Sequence, residues 1–202
     1  IVSFLYQYIT IYPDSSGYLY LADRMLGLDL SNYQGERSPG YPLLLALSFD
    51  CKTVAVFLQS ISGIASLIVI YKICLVIRLP RKWAFGLTVC NAIYLPLIFY
   101  ELAILSESLT LFFILLIFYI LFGLLYEKRR GYVSYIILAL CCGYLVLIKP
   151  FYIFVPIILF IILVFCDRKK RYIIIEQLFV LLIPILVFLG WSYVNKANTG
   201  YF

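Results

Sequence analysis

Histidine is absent from this chain of 202 residues. Its absence excludes Ser-His-Asp and Cys-His catalysis and histidine metal ligation here, and leaves acid-base chemistry to carboxylates, lysine or tyrosine. Charge is scarce as well, at 13% of residues against 65% hydrophobic and 18% aromatic. With a mean hydropathy of +1.05, too few polar residues remain to solvate the surface of a soluble domain. The six cysteines, Cys51, Cys74, Cys90, Cys141, Cys142 and Cys166, show no CxxC spacing and mostly sit inside apolar runs, where they read as small packing or membrane-facing residues. No charged segment precedes the apolar run Ile1 to Tyr12 and no cleavage-like site follows it, so it is not a signal peptide. Too short to span a bilayer, that run reads as the outer half of a helix that begins upstream, and the chain as a fragment.

What is present points to lipid. A transmembrane helix needs about 20 mainly apolar residues, and the sequence predicts spans at Thr53 to Ile77, Trp83 to Tyr100, Leu105 to Tyr126, Tyr132 to Ile148, Phe151 to Phe165 and Tyr172 to Val194. The net charge of +6 is not a nucleic-acid signal, because the basic residues are clustered between spans. The connections after the first, third and fifth spans (78–82, 127–130 and 167–171) hold ten of the sixteen Lys and Arg residues, which places them in the cytoplasm. The remaining connections, with Glu107 at the outer entrance of a span, hold seven of the ten acidic residues and face outward. The expected fold class is therefore all-α: a polytopic transmembrane helical bundle in the cell membrane, one domain over 1–202, with an extracytoplasmic loop over 13–50 that contains a juxtamembrane helix. Pro96, Pro156 and Pro184 predict kinks within spans. Lys72 and Glu176 read as snorkelling side chains, and Gln59 and Asn91 as amides bonded to neighbouring helices.

The segment Pro13 to Asp50 is long and greasy enough to fold against the membrane. Asp14-Ser-Ser is a helix-start signal, and the run from Gly17 to Leu28 predicts a short helix that ends near Gly27 or Leu28. Turn formers follow, then Glu36-Arg37-Ser38-Pro39-Gly40-Tyr41-Pro42, whose prolines and glycines argue against regular helix. Such a lid suits a reaction whose substrate has a lipid tail. Asp14 reads equally as a general base for an incoming hydroxyl or amine and as a helix cap. Arg37 has the planar fork that binds phosphate oxygens, against the alternative of a salt bridge to Glu36 or another acidic neighbour. Glu107 stands at the outer entrance of a span, where it serves a site or caps the helix. Lys149, before Pro150, is a cation at headgroup depth that neutralises a phosphate or anchors the interface. Asp23 and Arg24 read as the solvated face of the short helix, Asp29 as a turn residue and Glu101 as solvated loop charge. Carboxylates can hold a hard divalent cation, but no spacing here specifies one.

Several short motifs then occur in order: Asp14-x3-Tyr18-x3-Ala22, Ser38-Pro39-Gly40-Tyr41-Pro42-Leu43-Leu44, Leu105-Ser106-Glu107, Gly143-x5-Lys149-Pro150 and Trp191-x3-Asn195. In their order and spacing the chain resembles the N-terminal portion of GT-C fold glycosyltransferases of the protein O-mannosyltransferase and lipid A aminoarabinose transferase type. The resemblance implies transfer of a sugar from a polyprenyl-phosphate carrier to a lipid, glycan or protein acceptor on the outer face. It raises Asp14 above the capping reading as the catalytic residue and assigns Tyr18, Arg37, Glu107 and Lys149 to substrate binding. Many of those enzymes have an acidic pair where this chain has Asp14-Ser15, and Arg-Pro where it has Lys149-Pro150. A lipid flippase or transporter is the alternative; it calls for polar residues across the whole bilayer, whereas here they gather towards one face. A scaffold without a site leaves the external segment without a purpose.

Overall fold

Pro13 opens the first helix, α1 (Pro13–Leu26), at the position where a missing N–H costs nothing. The cap is Tyr12, and Ser15 closes the turn by accepting from the Tyr12 N–H at 2.9 Å. Asp14 therefore lies within the first turn, and its carboxylate is free of any capping role. The helix stops at Gly27, after which Leu28 adopts a left-handed φ of 51°. In the computed structural model the described residues are 9–30, 33–35, 37–49, 51–127, 131–166 and 173–200. Glu36 and all the basic residues of the 127–130 and 167–171 connections lie outside them.

A second short helix, α2 (Gly40–Ala46), forms where proline and glycine argued against one. Pro42 falls in its first turn, where backbone N–H groups have no acceptor within the helix, so the proline removes nothing. Long apolar helices follow: α3 (Lys52–Val76), α6 (Glu107–Tyr126) and α9 (Ile173–Thr199). These three are long and apolar enough to cross a membrane. The expected span from Trp83 to Tyr100 is broken into α4 (Arg81–Ala92) and α5 (Leu95–Leu102), bent by 52°, and counts as a fourth span if the pair crosses together. Pro96 causes the break: its ring clashes with the carbonyl four residues back and it has no N–H to bond there. The helix α7 (Tyr132–Ile148) has 17 residues and rises about 25 Å, short of a hydrocarbon core of about 30 Å. It ends where Pro150 follows, in a 3-10 turn, Pro150–Ile153, that leads into α8 (Phe154–Cys166). Among the described residues all regular structure is helical, with one isolated bridge between Thr10 and Ala103.

Two apolar clusters hold these helices. One lies among α6, α7, α8 and α9 around Leu121, Tyr135, Leu138 and Leu163. Gly143 of α7 faces Pro184 and Val187 of α9 across this cluster, at ordinary packing distance. The other cluster lies beneath α1 and α2 and joins Tyr18, Tyr41, Leu45, Ile104 and Ile148. Between the clusters runs the extended segment before α6. Thr10 donates to the Leu102 carbonyl and accepts from the Ile104 N–H, each at 3.2 Å, while Ser15 donates to the Ile104 carbonyl at 2.8 Å. Gln59, fully buried in α3, donates to the Ala103 carbonyl at 2.9 Å and accepts from the Tyr41 hydroxyl at 2.6 Å. Each bond satisfies a group that would cost about 1–3 kcal/mol if buried unpaired. Together they fix the point where α6 begins, and Glu107 is its first residue.

Candidate functional site

The loop between α1 and α2 is built around Arg37. Tyr33 holds its backbone from both sides: the Arg37 N–H donates to the Tyr33 hydroxyl at 2.6 Å, and that hydroxyl donates to the Arg37 carbonyl. Gly35, at the turn, has a φ of +78°, and a Cβ there would stand 2.8 Å from Oδ1 of Asn195 on α9. Glycine suits both demands, since it takes positive φ without strain and leaves the space open. Ser38 then donates to the Ile148 carbonyl at the end of α7, at 2.7 Å.

The Arg37 side chain is positioned as closely as its backbone. Nη2 donates to Oδ1 of Asp14 at 2.7 Å, the ion pair that the sequence left between Glu36 and another acidic neighbour. The guanidinium carbon stands 5.1 Å from the centre of the Tyr18 ring, within cation–π range. Nε lies over Gly17, where a Cβ would come within 2.9 Å of it. Any larger residue at position 17 moves the arginine. Tyr18 meets Tyr41 edge-on at 5.0 Å and has its hydroxyl 3.3 Å from that of Ser106. Burial first, then the nearby Tyr18 and Glu107 charges, push the Tyr41 hydroxyl well above the ordinary tyrosine range, so it stays a neutral donor to Gln59.

Across from Arg37, Lys149 closes the end of α7 in extended conformation, and its Nζ donates to Oε1 of Glu107 at 2.9 Å. Both partners are partly exposed, at 34% and 40%. Asp14, Tyr18, Arg37, Glu107 and Lys149 all line one cavity of about 530 Å³, which α9 closes with Phe188, Trp191, Ser192 and Asn195. All five residues singled out from the sequence thus meet in one place, although they come from α1, a loop, the start of α6 and the end of α7. The sequence reading did not foresee Gly17, Tyr33 and Gly35, which set the arginine, and it assigned no site role to Trp191 or Asn195. No local pattern marks these roles, because each depends on a partner far along the chain.

The cavity also concentrates unmet hydrogen-bonding capacity. Four buried side-chain polar atoms have no partner among the described residues: Arg37 Nε, Glu107 Oε2, Asn195 Oδ1 and Gln177 Oε1. The first three belong to residues that line this one cavity. Buried polar groups are nearly always paired, so a cluster of exceptions marks a place completed by a ligand or by water.

No protein-family model, curated protein or solved structure matches the chain.

Chemically, the cavity places two cations and two carboxylates around one volume, with an unmatched donor on Arg37 and unmatched acceptors on Glu107 and Asn195. That combination suits a ligand with both anionic oxygens and hydroxyl donors. Among the described residues no three His, Cys, Asp or Glu side chains come together as a metal cage. Of the residues read from sequence as solvated charge, Arg24 pairs with Asp29 at 3.7 Å, in keeping with that reading. Glu101 departs from it. It lies in α5, half-buried, with its carboxylate against Gly63 of α3. Asn91, expected to bond a neighbouring helix, instead donates to the Leu87 carbonyl of its own helix at 2.9 Å.

Proposed function

We propose that this chain forms the membrane-embedded part of a glycosyltransferase of the GT-C type, a polytopic bundle with its site on the extracytoplasmic face. It moves a sugar from a polyprenyl phosphate to a hydroxyl or amine acceptor. The observation that carries this reading is the single cavity lined by Asp14, Tyr18, Arg37, Glu107 and Lys149 at one end of a set of apolar helices. A lipid-linked substrate suits that place: its tail remains among the apolar helices while its phosphate and sugar reach the polar end. The motif order that suggested these enzymes also contains Trp191 and Asn195, which form the opposite wall.

The reaction is an in-line displacement at the anomeric carbon. The acceptor oxygen or nitrogen forms the new bond as the bond from that carbon to the phosphate oxygen breaks, and the phosphate leaves with the electron pair. Asp14 takes the acceptor's proton. One of its oxygens is held by Arg37 and the other has no partner among the described residues, so the carboxylate is both oriented and available. Arg37 and Lys149 offset the charge that develops on the departing phosphate. Glu107 steadies Lys149, and the Tyr18 ring supports the guanidinium.

The test begins with native mass spectrometry of the whole protein extracted gently from its own membranes. A co-purified polyprenyl phosphate, or its glycosylated form, supports the reading, whereas bulk phospholipid alone favours a flippase or transporter. With the donor in hand, Asp14→Asn is expected to reduce turnover about a hundredfold or more while donor binding persists. Unchanged turnover would remove Asp14 as the base.

A further inference from the structure

A second cavity, of about 280 Å³, lies between α3, α4, α5 and α6. Its size is at the lower edge of the roughly 300–1,000 Å³ typical of ligand sites. Glu101, Glu107 and Ser108 line it together with a run of apolar side chains that includes Ile64, Leu67 and Ile70 along α3, with Ser66 and Asn91 as further polar lining. Ile70 stands two helical turns beyond Gly63, about 10 Å along α3 at 1.5 Å per residue.

Glu101 gives this cavity its character. The half-buried carboxylate has neither a hydrogen-bond nor an ion-pair partner among the described residues. It occupies this place only because position 63 is glycine: a Cβ there would stand 1.9 Å from Oε1. Among the described residues no lysine or arginine lines the cavity. The only other charge among them is Glu107, which lines both cavities and commits one oxygen to Lys149 on the far side. A carboxylate drawn out of water without a partner is costly, and that cost falls when a cation arrives. Two carboxylates supply too few donors for a metal cage, and no third His, Cys, Asp or Glu joins them among the described residues. The apolar side chains that line the same cavity along α3 suit an alkyl chain.

We propose that this second cavity binds a protonated amine carried on an alkyl chain, with the Glu101 carboxylate holding the ammonium group and the Ile64, Leu67 and Ile70 face taking the chain. An ammonium group offers three donors and a full charge, and so answers a lone carboxylate better than an alcohol does. The site is separate from the sugar-transfer cavity but shares Glu107 with it. The binding stands on the geometry of its own residues and does not require that the neighbouring cavity transfer sugar.

The experiment uses the whole protein in nanodiscs of phosphatidylcholine, with radiolabelled dodecylamine as the probe and binding to empty nanodiscs subtracted. The expected result is saturable binding of one dodecylamine per chain that excess dodecanol does not displace. Glu101→Gln, which keeps the shape and removes the charge, should weaken binding roughly tenfold or more. Gly63→Ala, which pushes the carboxylate out of its place, should do the same, while Asp14→Asn in the other cavity should leave binding unchanged. Equal binding by wild type and Glu101→Gln overturns the proposal, because Glu101 then sits in the cavity as a neutral acid with no cation to hold. Displacement by dodecanol as effective as by decylamine overturns it too, since the tail alone would then account for affinity. Neither outcome touches the transferase reading, whose test is turnover.

Discussion

The two cavities on either side of Glu107 solve the problem of charge in an apolar protein in opposite ways. In the larger one each cation is matched, Arg37 to Asp14 at 2.7 Å and Lys149 to Glu107 at 2.9 Å, and what remains open is directional hydrogen bonding. In the smaller one the helices stand around a carboxylate that no described residue pairs with. The difference teaches what kind of partner each is fitted for. A cavity of balanced ion pairs can exchange its internal bonds for those of a phosphate and sugar without large change in charge, whereas one with an unmatched anion selects for positive charge.

The sharpest way to break this comparison is to disturb the ion pair to which the proposed chemistry is assigned. Asp14→Asn keeps the shape and removes the proposed base, and the expected hundredfold loss of turnover should leave donor affinity nearly intact. Next comes Arg37→Lys, which keeps the charge and loses the fork that meets both Asp14 and a phosphate. A fall in kcat/KM of about tenfold, or about 1.4 kcal/mol, is expected, and activity equal to wild type would mean that charge alone suffices there. Gly17→Ala leaves every charge in place and shifts only Arg37, whose Nε would lie 2.9 Å from the new methyl group. It should raise the donor KM several-fold, on the order of 1 kcal/mol, and leave amine binding in the second cavity unchanged.

The last effects fall on stability and not on turnover, and concern the wall behind the larger cavity. Tyr41→Phe leaves buried Gln59 Oε1 without its donor, and is expected to lower stability by about 1–3 kcal/mol in a denaturation experiment. The pH dependence has a definite sign. The folded chain holds the Tyr41 proton well above 10.0, the ordinary value at which the unfolded chain releases it. Above that pH the folded state binds more protons, so stability declines as pH rises. The decline should be shallower in Tyr41→Phe than in wild type.

The helices were readable from composition because apolar length is a local property. Each of the six apolar runs contains helix, and two of the charges that gather in the larger cavity, Glu107 and Lys149, stand at the ends of such runs. Failures came where a local signal met a competing constraint. Asp14 resembles a cap until Pro13 begins the helix earlier, Pro42 argues against a helix unless it falls in a first turn, and Pro96 breaks a run that is otherwise long enough to span. The pairings were not readable at all. Asp14 and Arg37 are 23 residues apart, Glu107 and Lys149 are 42 apart, and Glu101 finds its place only through a glycine in another helix. Sequence proximity offered Glu36 to Arg37 and solvent to Glu101, and tertiary structure supplied different neighbours.

Tyr33 grips residue 37 by its main chain, through an amide and a carbonyl that every amino acid except proline possesses. The loop therefore works as a socket whose shape does not depend on the side chain plugged into it. Under the proposed function, a related chain that takes a different headgroup can exchange the arginine and keep the loop, whereas exchange of the tyrosine loosens whatever stands at that position. On that reading ligand preference can drift by single substitutions, and the residue most resistant to drift is one that need never touch the ligand.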